Sequence, residues 1–156
     1  MNIVYCCYGS AHSSIIAAHV HLGFLPMDRI PSKAELLSLY DFDRTEGYFI
    51  GSLFYKGVDE WGNRVYTMGL GREMDLVRES FLSMLERNGG HREQYRFFLA
   101  LPHINRVAKI GGALSRRYGW VGIGRPLAVI GIRQSYPGMV RFVKDCKRQI
   151  EGDEEE

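Results

Sequence analysis

Apolar positions fall into short continuous runs near the start of the chain and into helix-spaced patterns further along. Residues 2–8 are almost wholly β-branched, aromatic or thiol-bearing, a composition typical of a buried strand. Residues 15–22 then predict a helix. Ser32 precedes Glu35 by three residues, which is the spacing of a capping box, so a short helix is predicted over residues 33–41.

The middle of the chain predicts a β-hairpin followed by a helix and a strand. Residues 47–70 have strand character, and the turn at 59–63 separates the two arms of the hairpin. Asp59 lies in this turn, where we expect solvent exposure. Residues 72–88 carry apolar side chains at helical spacing, and residues 95–101 form another apolar, strand-like run.

The last third of the chain predicts two helices with a strand between them. The first helix covers about residues 104–118, and its glycine pair at 111–112 indicates close packing or contact with a ligand. A glycine-rich loop over 119–126 leads to a strand over 127–132, and a basic helix over 137–150 follows.

This order of elements, β-α-α-β-β-α-β-α-β-α, predicts the α/β class. We expect residues 1–150 to form a single three-layer domain whose mostly parallel sheet contains an inserted antiparallel hairpin. Residues 151–156 are five acids and a glycine, and we expect an acidic disordered tail. No apolar run reaches the roughly 18 residues of a membrane helix, and the start lacks a signal-peptide pattern. A cytoplasmic protein without a membrane partner is therefore predicted.

The formal net charge of +2 conceals an uneven distribution of charge. Residues 103–150 contain ten basic side chains and one acid, Asp145, which gives +9. Such a block favours an anionic partner, so one alternative function is a non-catalytic module that binds RNA or an acidic protein. Against RNA, the region lacks a recognised RNA-binding signature. The other interpretation is a solvated basic face that the acidic tail partly neutralises.

The segment after the first predicted strand has the composition of an anion site. Ligands collect at the carboxyl ends of parallel strands, and backbone N–H groups at a helix start attract anions. Gly9 permits a tight turn, and the hydroxyls of Ser10, Ser13 and Ser14 add hydrogen-bonding groups. His12 is the candidate acid or base. The segment is neither a Walker A loop nor a Rossmann fingerprint. Ordinary capping by these serines is the alternative.

Three basic residues near other predicted strands are further candidates for ligand binding: Arg72, His103 and Arg125. Each stands beside a turn at a strand terminus, where a cation is well placed to bind phosphate or carboxylate. Turn and capping chemistry is again the alternative. The sequence thus leads to a hypothesis of a protein that binds a phosphorylated or otherwise anionic small molecule, with nucleotides included. If it is an enzyme, phosphoryl transfer or phosphoester hydrolysis is the reaction class. No metal site is predicted, and the cofactor is unknown.

The three cysteines indicate a reduced protein, because two of them are adjacent and a disulfide framework is impossible. Cys6 through Ser13 reads C-x5-His-Ser and resembles the C-x5-Arg-Ser loop of low-molecular-weight protein tyrosine phosphatases. His12 replaces the arginine that would grip the phosphate, and the Asp-Pro acid of that family is missing. A thiol phosphatase that uses Cys6 or Cys7 is therefore a second alternative, and buried structural cysteines are the other reading.

The segment 4–23, with Tyr-Gly-Ser-Ala-His-Ser-Ser at 8–14, also resembles a bacterial family filed as a domain of unknown function. Its members are common in endospore formers and carry a Tyr-Gly-Gly-(Ser/Thr)-His-(Ser/Thr)-(Ser/Thr) loop. Segments 57–63 and 122–127 are similar to the family too, so the resemblance covers nearly the whole chain. It implies no activity. Ser10 stands where the family has glycine.

Overall fold

The structure is a computed structural model that describes residues 1–44 and 49–154. The strands are β1 (Asn2–Cys7), β2 (Leu53–Val58), β3 (Arg64–Gly69) and β4 (Tyr95–Leu99). The helices are α1 (Ser13–His21), α2 (Lys33–Ser38), α3 (Met74–Arg87), α4 (Arg106–Arg116) and α5 (Val121–Glu154). Short 3-10 turns flank β4 at Arg92–Gln94 and Leu101–His103. Residues 47 and 48, at the start of the predicted strand segment 47–70, lie outside the described residues.

The four strands form one mixed sheet in the order β2-β3-β1-β4. β1 runs parallel to β3 and to β4, whereas β2 and β3 form an antiparallel hairpin. The α/β class and the inserted hairpin are therefore confirmed. β1 lies between β3 and β4 and is parallel to both. Its residues are therefore buried on both faces of the sheet and form one apolar run in the sequence.

Successive side chains of β1 enter two different clusters of apolar residues. Ile3 and Tyr5 pack in the larger cluster, to which α1, α4 and α5 contribute. Val4 and Cys6 pack in the smaller cluster, to which α3 contributes partly buried side chains. This alternation follows from the two-residue period of a strand.

The predicted strand over 127–132 is wrong, because these residues belong to α5. α5 begins at Val121, so most of the predicted loop over 119–126 is helical as well, and Gly119 (φ +72°) makes the turn between α4 and α5. The physical reason is that a six-residue apolar run is compatible with either a strand or a buried helix segment. The predicted helix 137–150 forms the second half of the same long helix.

Glycines bring the backbones of α4 and α5 into direct contact. A Cβ on Gly131 would lie 2.1 Å from the backbone N of Ala108, and one on Gly124 would lie 2.3 Å from the backbone N of Ser115. A Cβ on Gly111 would lie 2.2 Å from the N of Ala128. No side chain fits between these surfaces, so the two helices form a tight antiparallel hairpin.

Two further predictions concern the helix termini. The capping box of α2 is confirmed, because Ser32 Oγ accepts from the N–H of Glu35 and the Glu35 carboxylate accepts from the N–H of Ser32. α5 continues through residues 151–154, the first part of the predicted disordered tail, and residues 155–156 lie outside the described residues. Within the described part of the chain, no helix is long and apolar enough to cross a membrane.

Candidate functional site

The loop between β1 and α1 lies at the carboxyl ends of two neighbouring parallel strands. The residues that follow β3 pair with it: the N–H of Leu70 donates to Cys7 O and the N–H of Gly71 donates to Tyr8 O, each at 2.9 Å. Gly9 packs directly on β3, because a Cβ on Gly69 would lie 3.0 Å from the carbonyl carbon of Gly9. The loop therefore occupies the place where ligands bind in parallel sheets.

Ser10 is buried and adopts a left-handed backbone conformation (φ +52°), which is unusual for a residue with a Cβ. Its hydroxyl donates to Thr67 Oγ1 at 2.9 Å, and its N–H donates to Cys7 Sγ at 3.1 Å. The predicted ligand-binding hydroxyl of Ser10 is thus used to hold the loop against β3. Glycine, with no Cβ, would adopt this conformation more easily.

The two serines that open α1 differ in their hydrogen bonding. Ser14 Oγ lies 3.1 Å from Cys7 Sγ and is fully buried, so this hydroxyl also makes its hydrogen bond within the protein interior. The Ser13 side chain is buried too, but its Oγ has no hydrogen-bond partner among the described residues. A buried hydroxyl without a partner costs free energy, so Ser13 Oγ is an unsatisfied polar group of this loop.

His12 precedes α1 and is held by a carboxylate that comes from the segment after α2. Its Nε2 lies 2.9 Å from Oδ1 of Asp43, which is completely buried. A carboxylate only accepts, so Nε2–H donates and the lone pair of the neutral ring is on Nδ1. The ring packs edge-on against Phe42, and a Cβ on Gly112 of α4 would lie 3.0 Å from Nδ1. His12 is therefore fixed in position from several sides.

Asp43 gathers side chains from the α4–α5 hairpin. Its Oδ2 accepts from Ser115 Oγ at 2.6 Å and from Arg125 Nε at 2.8 Å. Its carbonyl oxygen accepts from Arg116 and from Arg125 Nη2. Burial works to raise the pKa of Asp43, but the hydrogen bonds from His12, Ser115 and Arg125 outweigh it and lower the pKa to about 2. The carboxylate is therefore ionised at neutral pH.

Basic side chains surround the Asp43 carboxylate. The Arg125 guanidinium donates to the carboxylate of Asp43, the Arg116 guanidinium donates to its backbone carbonyl, and the His12 ring binds the other carboxylate oxygen. The side chain of Arg125 is 36% exposed, so part of the cation is open to solvent. Basic side chains close to a helix N-terminus favour the binding of an anion.

The other candidate residues lie at different distances from this cluster. Arg72 is exposed and follows Gly71 at the edge where the β3 end meets the loop. His103 stacks on Phe142 with ring centroids 4.0 Å apart. Phe142 is 17 positions after Arg125 on α5, about 25 Å along the helix axis, so the structure does not bring His103 to the loop. Arg125 reaches the loop from a helix and not, as predicted, from a strand terminus.

Sequence reasoning missed the residue that organises the site, Asp43. No sequence motif pointed to Asp43, because it lies in a short aperiodic segment far from the loop in sequence. No motif pointed to Ser115 or Arg116 as site residues either. The Gly111–Gly112 pair did give a signal: Gly111 packs on α5 and Gly112 packs on His12. A glycine pair inside a helical pattern was thus the only pointer to this contact.

The three cysteines are free and buried. Burial raises the pKa of Cys6 far above its ordinary value, and Cys6 Sγ donates to the carbonyl of Val4 in its own strand. Burial also raises the pKa of Cys146 to about 12. Cys7 differs from both, because its sulfur receives the N–H of Ser10 and contacts the hydroxyl of Ser14.

A second buried histidine–carboxylate pair lies at the other end of β1. His21 Nε2 is 3.0 Å from Asp59 Oδ2, and Tyr5 Oη is 2.7 Å from His21 Nδ1. Asp59 Oδ1 accepts from the N–H groups of Trp61 and Asn63. The expectation that Asp59 is exposed at the hairpin tip is therefore wrong, because the turn folds its carboxylate inward to His21. Both ring nitrogens of His21 are occupied.

Among the described residues, no group of three or more His, Cys, Asp or Glu side chains could hold a metal ion. A family model described as "Protein of unknown function (DUF3189)" matches residues 2–148. No curated protein and no solved structure matches the chain.

Proposed function

Because the chain belongs to this family of proteins of unknown function, we propose its function from the site alone: it binds a phosphorylated or otherwise anionic small molecule at the β1–α1 loop. Nucleotides are included in this ligand class. We propose further that residues 8–14 form the loop common to the family, and that helices on both faces of the sheet make a three-layer arrangement that supports it.

The observation that carries the proposal is the unpaired hydroxyl of Ser13 at the start of α1. The first hydrogen bond of the helix joins the N–H of Ile16 to His12 O, so the N–H groups before it have no partner within the helix. The His12 side chain does not cap them. Because Cα–Cβ bonds tilt toward the helix N-terminus, the Ser13 side chain is directed to the same end. An anion bound there would satisfy the hydroxyl and these N–H groups together.

The charge of the neighbouring side chains supports the same ligand class. The Arg125 side chain is partly exposed beside the loop, and the helix dipole of α1 adds a positive potential. His12 presents Nδ1, the ring nitrogen that Asp43 does not engage. In phosphoester hydrolysis, Nδ1 would take a proton from the attacking water as the P–O(ester) bond breaks, and would return it to the departing alkoxide. Asp43 would hold the ring in the required tautomer.

A thermal-shift titration tests the proposal. Inorganic phosphate, nucleotides and phosphorylated metabolites are each titrated with and without magnesium against wild type, Ser13→Ala, His12→Ala and Ser14→Ala. A ligand at one hundred times its Kd stabilises the native state by about 2.7 kcal/mol. For a chain of this length, that corresponds to a rise in Tm of roughly 5–11 °C.

The serine variants provide matched expectations. Ser13→Ala removes an unpaired hydroxyl, so the ligand-free Tm should stay equal or rise while the ligand-induced shift falls. Ser14→Ala removes a hydroxyl that Cys7 uses, so the ligand-free Tm should fall by an amount equivalent to about 1 kcal/mol while the ligand-induced shift persists. No shift with any of these anions in wild type, or equal shifts in wild type and Ser13→Ala, would refute the proposed site.

A second candidate function, thiol-dependent phosphoester cleavage, is favoured by the contacts of Cys7. Counted from Cys7, the C-x5-Arg-Ser spacing ends on Ser13 and Ser14, and Ser14 Oγ contacts the sulfur at 3.1 Å as the Ser10 N–H does. Both groups can donate to a thiolate. His12 Nδ1 would take the proton of the Cys7 thiol, the thiolate would attack phosphorus, and the departing alkoxide would receive that proton from His12 as the P–O(ester) bond breaks. Water would then hydrolyse the thiophosphate.

Alkylation rates separate this candidate from a buried structural thiol. Iodoacetamide should modify Cys7 faster than Cys6 and Cys146, which are equally enclosed, and phosphate should slow the reaction. If all three cysteines react at one rate, or only after unfolding, Cys7 has no nucleophilic role.

A further inference from the structure

The α4–α5 hairpin exposes large apolar side chains around its turn and along both helices. We name these residues the hairpin patch: Ile110, Tyr118, Trp120, Ile123 and Ile130. Their exposed fractions are between 48% and 62%. Ile123 and Ile130 are seven residues apart and share one face of α5, while Ala108 and Ser115 of α4 contact the glycines beside them.

The side chains around the patch are cationic. Residues 103–134 contain no aspartate or glutamate. Arg106 and Lys109 of α4, and Arg117 at its C-cap, make no ion pair with any described residue, and Arg117 lies over the ring of Tyr118 at 5.8 Å. These cations are available to an external anion, unlike Arg116 and Arg125, which bind Asp43.

From this combination we propose that the hairpin patch docks the protein on the surface of an anionic lipid bilayer. Tryptophan and tyrosine favour the boundary between headgroups and acyl chains, and isoleucine gains by burial below it. Arg106, Lys109 and Arg117 would meet the headgroup phosphates. The docking is peripheral and needs no spanning helix. It is independent of the anion site at the β1–α1 loop.

Other partners fit the patch less well. A second copy of this face would bring equal positive charges together without an acid to neutralise them. RNA would engage the cations and stack on the aromatic rings, but it would leave Ile110, Ile123 and Ile130 in water. An acidic protein would need a surface shaped to Trp120 and Tyr118, which project from a turn, whereas a bilayer accommodates any projecting side chain.

Vesicle binding tests the proposal with the chain's own fluorophore. Trp61→Phe leaves Trp120 as the single tryptophan, since the chain has two. Phosphatidylcholine vesicles with about 30% phosphatidylglycerol, in about 0.1 M salt, should shift Trp120 emission to the blue and sediment the protein. Phosphatidylcholine vesicles alone should bind it weakly.

Two groups of variants in this background identify the surface. The glutamine variant, which combines Arg106→Gln, Lys109→Gln and Arg117→Gln, should partition to the vesicles about fivefold more weakly for each cation removed. Ile123→Ser should weaken it as well, whereas Leu76→Ser should not, although Leu76 of α3 is 65% exposed. If Ile123→Ser does not fold, the glutamine variant, which changes exposed side chains only, still tests whether this surface binds the vesicles.

Three results would overturn the proposal. The first is an absence of binding to anionic vesicles. The second is an equal loss of vesicle binding in Leu76→Ser and Ile123→Ser. The third is binding of poly(U) RNA that the glutamine variant loses while vesicles fail to bind, which would make the basic helices a nucleic-acid surface. Retention of a phosphate-induced Tm shift in every variant would show that the two sites are separate.

Discussion

Replacing Gly131 by alanine should separate α4 from α5. The added Cβ would lie 2.1 Å from the N, 2.5 Å from the Cα and 2.7 Å from the Cβ of Ala108, where ordinary contacts between carbons are about 3.5–4.0 Å. These neighbours are mostly backbone atoms, so the helices must move apart. Overpacking of this kind costs about 1–3 kcal/mol and occasionally more, and alanine recovers up to about 1 kcal/mol of helix propensity.

We therefore expect Gly131→Ala to lower the free energy of unfolding by about 2 kcal/mol, since backbone contacts this short place the steric cost at the upper end of its range. Urea denaturation followed by circular dichroism measures this directly, and the Tm should fall by roughly 4–8 °C. The phosphate-induced shift in Tm should weaken too, because Arg125 and Ser115 reach the loop from the two helices that separate.

Gly138→Ala is the matched control on the same helix. The nearest atom to its Cβ would be Arg141 Nη2 at 3.8 Å, the end of a flexible side chain. This variant should gain helix propensity without a steric cost, so its stability should stay equal or rise by up to about 1 kcal/mol. If Gly131→Ala is as stable as Gly138→Ala, the direct backbone contact between α4 and α5 is refuted.

Three further predictions concern the two histidine–carboxylate pairs. Burial lowers the pKa of His21 from 6.5, so below about pH 6.5 the unfolded chain binds a proton that the folded chain does not, and the free energy of unfolding should fall as the pH drops. The lowered pKa of Asp43 also makes the free energy of unfolding fall with pH, between about pH 5 and pH 2. Urea titrations measure this free energy between about pH 7 and pH 2, and a value independent of pH would contradict the assignments of His21 and Asp43. Asp43→Asn leaves the Arg125 guanidinium without its carboxylate and should lower the free energy of unfolding in urea by about 3 kcal/mol. A loss under about 1 kcal/mol would contradict the assigned network. Tyr5→Phe removes the hydroxyl that contacts His21 and should cost about 1–3 kcal/mol in the same assay while leaving any phosphate-induced shift in Tm unchanged; loss of that shift would mean that the two pairs are coupled.

The two histidine–carboxylate pairs, His21–Asp59 and His12–Asp43, differ in the groups that surround them. His21 uses both ring nitrogens, one for Tyr5 and one for Asp59, and the pair is enclosed in the core. Such a network fixes the β2–β3 turn against α1. His12 uses one nitrogen for Asp43, whose other carboxylate oxygen binds Arg125, and it adjoins Ser13 with its unpaired hydroxyl. Of the two pairs, we therefore propose the His12 pair for ligand binding.

The sequence predicted the local elements whose composition or spacing favours one conformation. The β-branched, aromatic and thiol side chains of residues 2–8 indicated a buried strand, the turn at 59–63 indicated a hairpin, and the spacing of Ser32 and Glu35 indicated a helix start. The sequence also placed the candidate loop, because a strand followed by glycine, serines and a helix start puts N–H groups at the carboxyl edge of the sheet. These features depend on neighbours in the chain.

Only the tertiary structure decided which side chains meet at the loop. Residues 127–132 became helix because glycines on one face let α5 contact the backbone of α4, which a short apolar run does not reveal. Asp43, 31 positions from His12 and 82 from Arg125, joins both because its carboxylate is buried and needs donors. A buried carboxylate accepts hydrogen bonds from whichever donors the fold places next to it, and these donors cannot be predicted from their spacing in the sequence.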